Sequence, residues 1–180
     1  MAILDKEVVA EKYLDILEVA VAATEFCGYE NKGYRTMIKS DEDSKKTWFR
    51  VIFNQRYGSD SNEPTYSLST TISLNGDNTS IASVCVHEHS GYYDGFTDKM
   101  SAEFEGYVDT TDTDTRFSTN ANRDLEINTT ITKHQGHTNK GVDSDSTTEK
   151  TEVYEFDGNW KNLSPDMKKI GPKTNNKAIK

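Results

Sequence analysis

The stretch Cys85-Val86-His87-Glu88-His89 contains the residue types best suited to chemistry in this chain. Successive side chains of a β-strand point to opposite faces, so Cys85, His87 and His89 would share one face. Two imidazoles two residues apart on a strand can bind Zn²⁺ or another divalent metal when a third ligand comes from elsewhere. The spacing therefore makes His87 and His89 the first candidates for a metal site, and Zn²⁺ the first candidate cofactor.

The missing ligand could come from His134 or His137, the other two histidines of the chain, or from the carboxylate of Asp94. Residues 133–150 are poor in apolar side chains and are predicted to be a loop that could fold over the sheet. The competing interpretation is a set of solvent-exposed histidines, because no HExxH or CxxC motif accompanies them. Either cysteine could act as a nucleophile beside a histidine, although a small buried cysteine is the commoner case.

Two further groups could bind a partner or an ion. Residues 109–115 (DTTDTDT) are predicted to be a polar acidic loop, and they lack the central glycine and terminal glutamate of a calcium loop. An aromatic group beside glycines offers a protein-binding surface, since tyrosine and tryptophan are favoured at binding hot spots. Its members are Tyr92, Tyr93 and Phe96, with Trp160 further along the chain.

Strict alternation of apolar and polar residues over 65–74 predicts a strand with one buried face. Asn75-Gly76 favours a chain reversal, and residues 80–89 return as a second β-branched run, so the pair forms an antiparallel hairpin. Similar patterns predict strands over 47–57, 102–108 and 125–131, and a last strand through Tyr154 and Phe156. Residues 29–46 are charged and are predicted to be irregular.

Residues 4–26 are the one strong helix candidate, and their apolar face is wider than a surface helix needs. Either a curved sheet holds this helix, or part of it contacts another copy or a partner. One helix followed by antiparallel strands predicts an α+β fold. We expect an N-terminal helix packed on a mainly antiparallel, meander-like sheet or a partly closed barrel.

Charge is distributed unevenly along the 180 residues, whose formal net charge is −9. Residues 161–180 carry six lysines and one acid, Asp166, which is +5, so subtraction from −9 leaves −14 for residues 1–160. We expect residues 1–160 to form a single domain and 161–180 a flexible lysine-rich tail. An acidic body favours basic protein partners over direct nucleic-acid binding.

No leader-like segment or membrane-length apolar run is visible, and two cysteines are too few for a disulfide framework, so we expect a cytoplasmic protein. The sequence favours a non-enzymatic protein-binding or assembly module with an acidic surface, which could form homo-oligomers. An inhibitor from a virus or mobile element is one form of it. The alternatives are a metal-dependent enzyme using the His-x-His strand and a small-ligand-binding β-barrel with a cavity beside the helix.

Overall fold

The computed structural model describes residues 6–30, 35–41, 46–56, 65–76, 80–94, 107–137, 142–171 and 177–179. One long helix precedes the strands, and a short 3-10 helix lies between the last long strand and the two short ones. The elements are α1 (Lys6–Phe26), β1 (Arg35–Asp41), β2 (Lys46–Arg56), β3 (Thr65–Leu74), β4 (Ile81–Asp94), β5 (Tyr107–Thr119), β6 (Leu125–His137), β7 (Val142–Tyr154), the 3-10 helix (Trp160–Asn162), β8 (Lys169–Gly171) and β9 (Lys177–Ile179).

The sheet is an antiparallel meander in which β1 to β8 lie side by side in chain order. The two short C-terminal strands, β8 and β9, both pair with β7. Within the described strands β1 pairs with β2 alone, so the sheet does not close on itself. The predicted helix-on-meander architecture is confirmed, and a partly closed barrel stays a prediction.

Helix α1 ends where the sequence indicates. Gly28 adopts a left-handed φ of 85°, which a residue with a side chain rarely does, and its N–H donates to Glu25 O at 2.9 Å. The N–H of Tyr29 then donates to Thr24 O at 3.3 Å, so two carbonyls of the last turn are satisfied.

The core lies between α1 and the inner face of the sheet. The helix packs mainly on β2, β3 and β4, and the 3-10 helix packs on the helix. The fully buried side chains include Phe117, Ile72, Leu125 and Ile127 from three strands, β3, β5 and β6. The ring of Phe26 contacts Phe117 edge to face, with centroids 5.4 Å apart, so the end of the helix is fixed on β5.

Three predicted irregular regions contain strands, and those predictions are wrong. Residues 109–115 lie inside β5, residues 133–150 contain the end of β6 and most of β7, and β1 lies within residues 29–46. These strands are rich in polar residues, so no strict apolar alternation marks them in the sequence. β4 also extends beyond the predicted run of residues 80–89, through Gly91 to Asp94. The predicted strand at 102–108 falls largely outside the described residues, apart from Tyr107 and Val108.

The C-terminal segment is attached to the rest of the chain by packing and charge. β7 ends at Tyr154, so Phe156 lies beyond the strand in which it was predicted, and its ring packs on Trp160. Leu163 is buried in the common core. Three lysines of the segment form ion pairs with acids of the body: Lys161 with Asp15, Lys168 with Glu155 and Lys169 with Glu152. The division into a domain of residues 1–160 and a tail of residues 161–180 stays a prediction.

Among the described helices, none has the length and apolar character needed to cross a membrane.

Candidate functional site

The residues singled out for chemistry lie on the outward face of the sheet, the face away from α1. Antiparallel pairing of β4 with β5 sets His87 opposite Asp114 and His89 opposite Asp112. Directly paired residues have side chains on the same face, so each imidazole lies beside a carboxylate. The register therefore places His87 and His89 on one face, as predicted.

Imidazoles and carboxylates alternate along this face. His87 Nδ1 is 2.6 Å from Asp114 Oδ1, and His89 Nδ1 is 2.7 Å from Asp112 Oδ1. His87 Nε2 lies 3.6 Å from Asp112 Oδ1, which joins the two pairs. We call Asp114, His87, Asp112 and His89 the His–Asp row. Each Nδ1 contact fixes the orientation of an imidazole and of the carboxylate that it meets.

Cys85 adjoins the His–Asp row but does not complete a nucleophilic triad. Its Sγ lies 4.0 Å from Asp114 Oδ1, the oxygen that also contacts His87. In a catalytic triad the imidazole lies between nucleophile and carboxylate, whereas here the carboxylate lies between thiol and imidazole. Burial, followed by the charge of Asp114, raises the pKa of the Cys85 thiol, so it is protonated at neutral pH.

A polar cavity of about 500 Å³ adjoins this row on the outward face of β2, β3 and β4. Arg50 borders the cavity; its Nε donates to Thr71 Oγ1 at 3.3 Å, and its guanidinium carbon lies 5.3 Å from the centre of the Trp48 ring. Three hydroxyl groups, those of Ser67, Ser69 and Thr71, contribute to the remaining polar lining. The lining residues are Arg50, Ile52, Gln55, Ser67, Ser69, Thr71, Cys85, His87 and Asp114.

The structure does not bring His134 to the His87–His89 pair. His134 lies on β6, where its Nδ1 contacts Asp145 Oδ1 of β7. Strands are spaced by roughly 4.8 Å, so β6 is about 10 Å from β4. Within the part of the chain that the structure describes, no group of three or more His, Cys, Asp or Glu side chains could hold a metal ion. The side chains of His137 and Asp94 lie outside that part, and the metal site stays a prediction.

The predicted aromatic binding group is divided between the two ends of β4. Tyr92 is half-buried near the end of β4, whereas Trp160 lies beside Ile81, the first residue of that strand. Eleven residues at roughly 3.3 Å each separate these ends by about 36 Å. The side chain of Tyr93 and the whole of Phe96 lie outside the described residues.

A cluster of phenols and a carboxylate on the inner face was not predicted. Tyr66 Oη donates to Glu88 Oε2 at 2.8 Å, and burial followed by this carboxylate raises the pKa of Tyr66 to about 12. Burial and the same carboxylate also raise the pKa of Tyr29. The alternation of side chains along β4 could have indicated this cluster, because it assigns Glu88 to the face opposite the two histidines.

No protein-family model, no curated protein and no solved structure matches this chain.

Proposed function

We propose that this protein is a non-enzymatic binding module whose acidic outward face contacts a basic surface of a protein partner. The observation that carries the proposal is the excess of acidic over basic side chains on that face of β5, β6 and β7. Arg116 is the one arginine or lysine among its described side chains on these strands, against several carboxylates. Those carboxylates are Asp112, Asp114, Glu126, Asp145 and Glu149.

The carboxylates of the His–Asp row are both accessible and oriented. The side chains of Asp112 and Asp114 are 36% and 48% exposed, so a partner can reach them. Their contacts with His87 and His89 restrict their rotation before any partner arrives. Binding then costs less side-chain entropy than it would with free carboxylates, which favours recognition of arginine and lysine side chains.

The partner class follows from charge complementarity. A net charge of −9 accelerates the encounter with a basic protein and opposes the approach of a nucleic acid. An inhibitor from a virus or mobile element that covers a basic surface of its target is one form of this proposal. We also propose a cytoplasmic location, and assembly into a homo-oligomer through part of the wide apolar face of residues 4–26.

The experiment is a salt series of binding to a defined basic probe, an arginine-rich peptide. We expect affinity to fall steeply with added salt, because screening weakens contacts between exposed charges. The double variant Asp112→Asn/Asp114→Asn should bind roughly three- to tenfold more weakly, since each exposed ion pair contributes about 0.2–1 kcal/mol.

The matched control is the double variant Glu25→Gln/Asp166→Asn, which changes the net charge equally at exposed positions off the outward face. It should retain most of the wild-type affinity. Equal weakening in both double variants would show attraction to net charge alone and would contradict a specific acidic face.

A metal-dependent enzyme that uses His87 and His89 is the alternative proposal. The favouring observation is the carboxylate on each Nδ1, an arrangement that orients metal-binding imidazoles. Elemental analysis and zinc titration test it: stoichiometric metal that disappears in His87→Ala would support it. Protein that takes up no zinc on titration would contradict it.

A further inference from the structure

A second cavity, of about 430 Å³, lies between α1 and the end of the sheet where β3 connects to β4. It is on the inner face, opposite the His–Asp row, and the 3-10 helix closes one side. We call it the helix cavity. Apolar side chains from α1, β2, β3, β4 and the 3-10 helix form its walls. They are Ile16, Val19, Phe49, Leu74, Ile81 and Trp160.

The walls of the helix cavity are fixed by packing within the protein. Ile16 and Val19 are 6% and 2% exposed and belong to the main core. The Trp160 ring packs on Phe156, with centroids 5.2 Å apart and an interplanar angle of 68°. The cavity is therefore formed before a ligand arrives, and its volume falls in the usual range of small-molecule sites, about 300–1,000 Å³.

The polar groups at the mouth already bond to other groups of the protein. Lys161 Nζ lies 3.2 Å from Asp15 Oδ1, so the two opposite charges compensate each other. The side-chain oxygen of Asn159 accepts the backbone N–H of Lys161 at 3.1 Å, and Ser80 is hydrogen-bonded to Asn75. A charged ligand would have to separate the Asp15–Lys161 pair, whereas a neutral one would leave it intact.

We propose that the helix cavity binds one neutral small molecule with an apolar, ring-containing body. The apolar walls, which include the aromatic rings of Phe49 and Trp160, favour an apolar ligand that contains a ring. The compensated charges at the mouth select against ionised molecules. The inference is independent of the acidic outward face, because the two sites lie on opposite faces of the sheet and share no lining residue.

The test is a fluorescence titration of the full chain with N-phenyl-1-naphthylamine, a neutral aromatic probe that brightens in apolar surroundings. Wild-type protein should bind it saturably at one site. Ile81→Phe adds a ring to the cavity wall and should weaken binding at least tenfold. The matched control, Ile131→Phe, makes the same change at another half-buried isoleucine outside the lining and should stay within twofold of wild type.

Absence of saturable binding to the wild type would overturn the proposal, as would equal affinities of wild type and Ile81→Phe. If Ile81→Phe fails to fold, NMR of the wild-type protein in complex with the probe still tests the proposal. Nuclear Overhauser contacts from the probe to Trp160 and Ile81 would support the helix cavity as its site. Contacts confined to other parts of the protein would overturn it, and so would a dimer that leaves the cavity inaccessible to the probe.

Discussion

His87 and Asp114 face each other across β4 and β5, with Nδ1 2.6 Å from Oδ1. The same carboxylate oxygen lies near the Cys85 thiol, and the neighbouring Asp112 contacts both imidazoles. The outward face is therefore a surface of mutually oriented polar groups in which each acid has a defined position. This arrangement of oriented carboxylates is the basis of the proposed function.

A buried polar contact between Thr24 and Thr70 joins the helix to the sheet, and we expect it to contribute to stability. Thr24 Oγ1 lies 2.7 Å from Thr70 Oγ1, both side chains are 0% exposed, and Thr24 Oγ1 donates to Ala20 O at 2.7 Å. Thr24→Val should reduce the free energy of unfolding by about 1–3 kcal/mol, because it leaves the buried Thr70 hydroxyl without this partner.

The double variant Thr24→Val/Thr70→Val provides the control. Replacing both partners removes the unsatisfied group, so the loss should be smaller than the sum of the two single losses. Urea unfolding of wild type, both single variants and the double variant measures this. Additive losses would show that the two hydroxyl groups do not interact.

The sequence predicted the elements in which burial leaves a periodic pattern. Helix α1, β2, the β3–β4 hairpin and β6 all have an apolar face against the core, and all were predicted close to their positions. Most of β7 was missed because its threonines and serines are interspersed with charged residues on a largely exposed strand, with no regular apolar positions before Val153. Backbone hydrogen bonds to β6 stabilise such a strand, and they do not require apolar residues at alternate positions in the sequence.

Glu152 should make stability depend on pH. It accepts hydrogen bonds from Lys150 and Lys169, and its side chain is 14% exposed. Burial alone would raise the pKa of Glu152, but the hydrogen bonds and charges of the two lysines lower it below its ordinary value of 4.5. The stabilising contribution is complete above that value and is lost as the pH falls through the lower folded-state value.

Glu152→Gln should therefore cost about 1–2 kcal/mol of unfolding free energy at pH 7. Wild type and variant should converge as acid protonates Glu152. The control is Glu155→Gln, which removes a more exposed pair with Lys168 and should change stability by less than about 1 kcal/mol. Denaturant unfolding at pH 7 and near pH 3 gives the comparison; a constant difference between wild type and Glu152→Gln would contradict it.

Both cysteines should react slowly in the folded protein. They are free thiols; burial raises the pKa of Cys27 to about 12 and also raises the pKa of Cys85. Thiolate is the reactive form, so we expect a disulfide reagent at pH 8 to modify native protein at least tenfold more slowly than urea-unfolded protein. Each cysteine should give one kinetic phase of modification, and the variants Cys27→Ser and Cys85→Ser assign the two phases. The Cys27 thiol should be the slower to react. A thiol that reacts rapidly at neutral pH would instead indicate an activated nucleophile.

Only the part of the site that lies on a single strand was predictable from the sequence. Period-two alternation correctly grouped Cys85, His87 and His89, because neighbours on one strand share a face by geometry alone. Their carboxylate partners come from β5, which the sequence indicated as a loop, and the register of β4 with β5 is a property of the whole sheet. The helix cavity likewise depends on how the 3-10 helix returns to α1, and no local pattern encodes that packing.

The most direct measurement is a map of backbone amide shifts while an arginine-rich peptide is added to ¹⁵N-labelled protein at low salt. The proposed function predicts the largest shifts on β4, β5 and β6 around the His–Asp row, and their loss in Asp112→Asn/Asp114→Asn and at high salt. Shifts that are spread over the whole surface, or concentrated around exposed acids such as Glu25 and Asp166, would contradict the outward face as the binding surface.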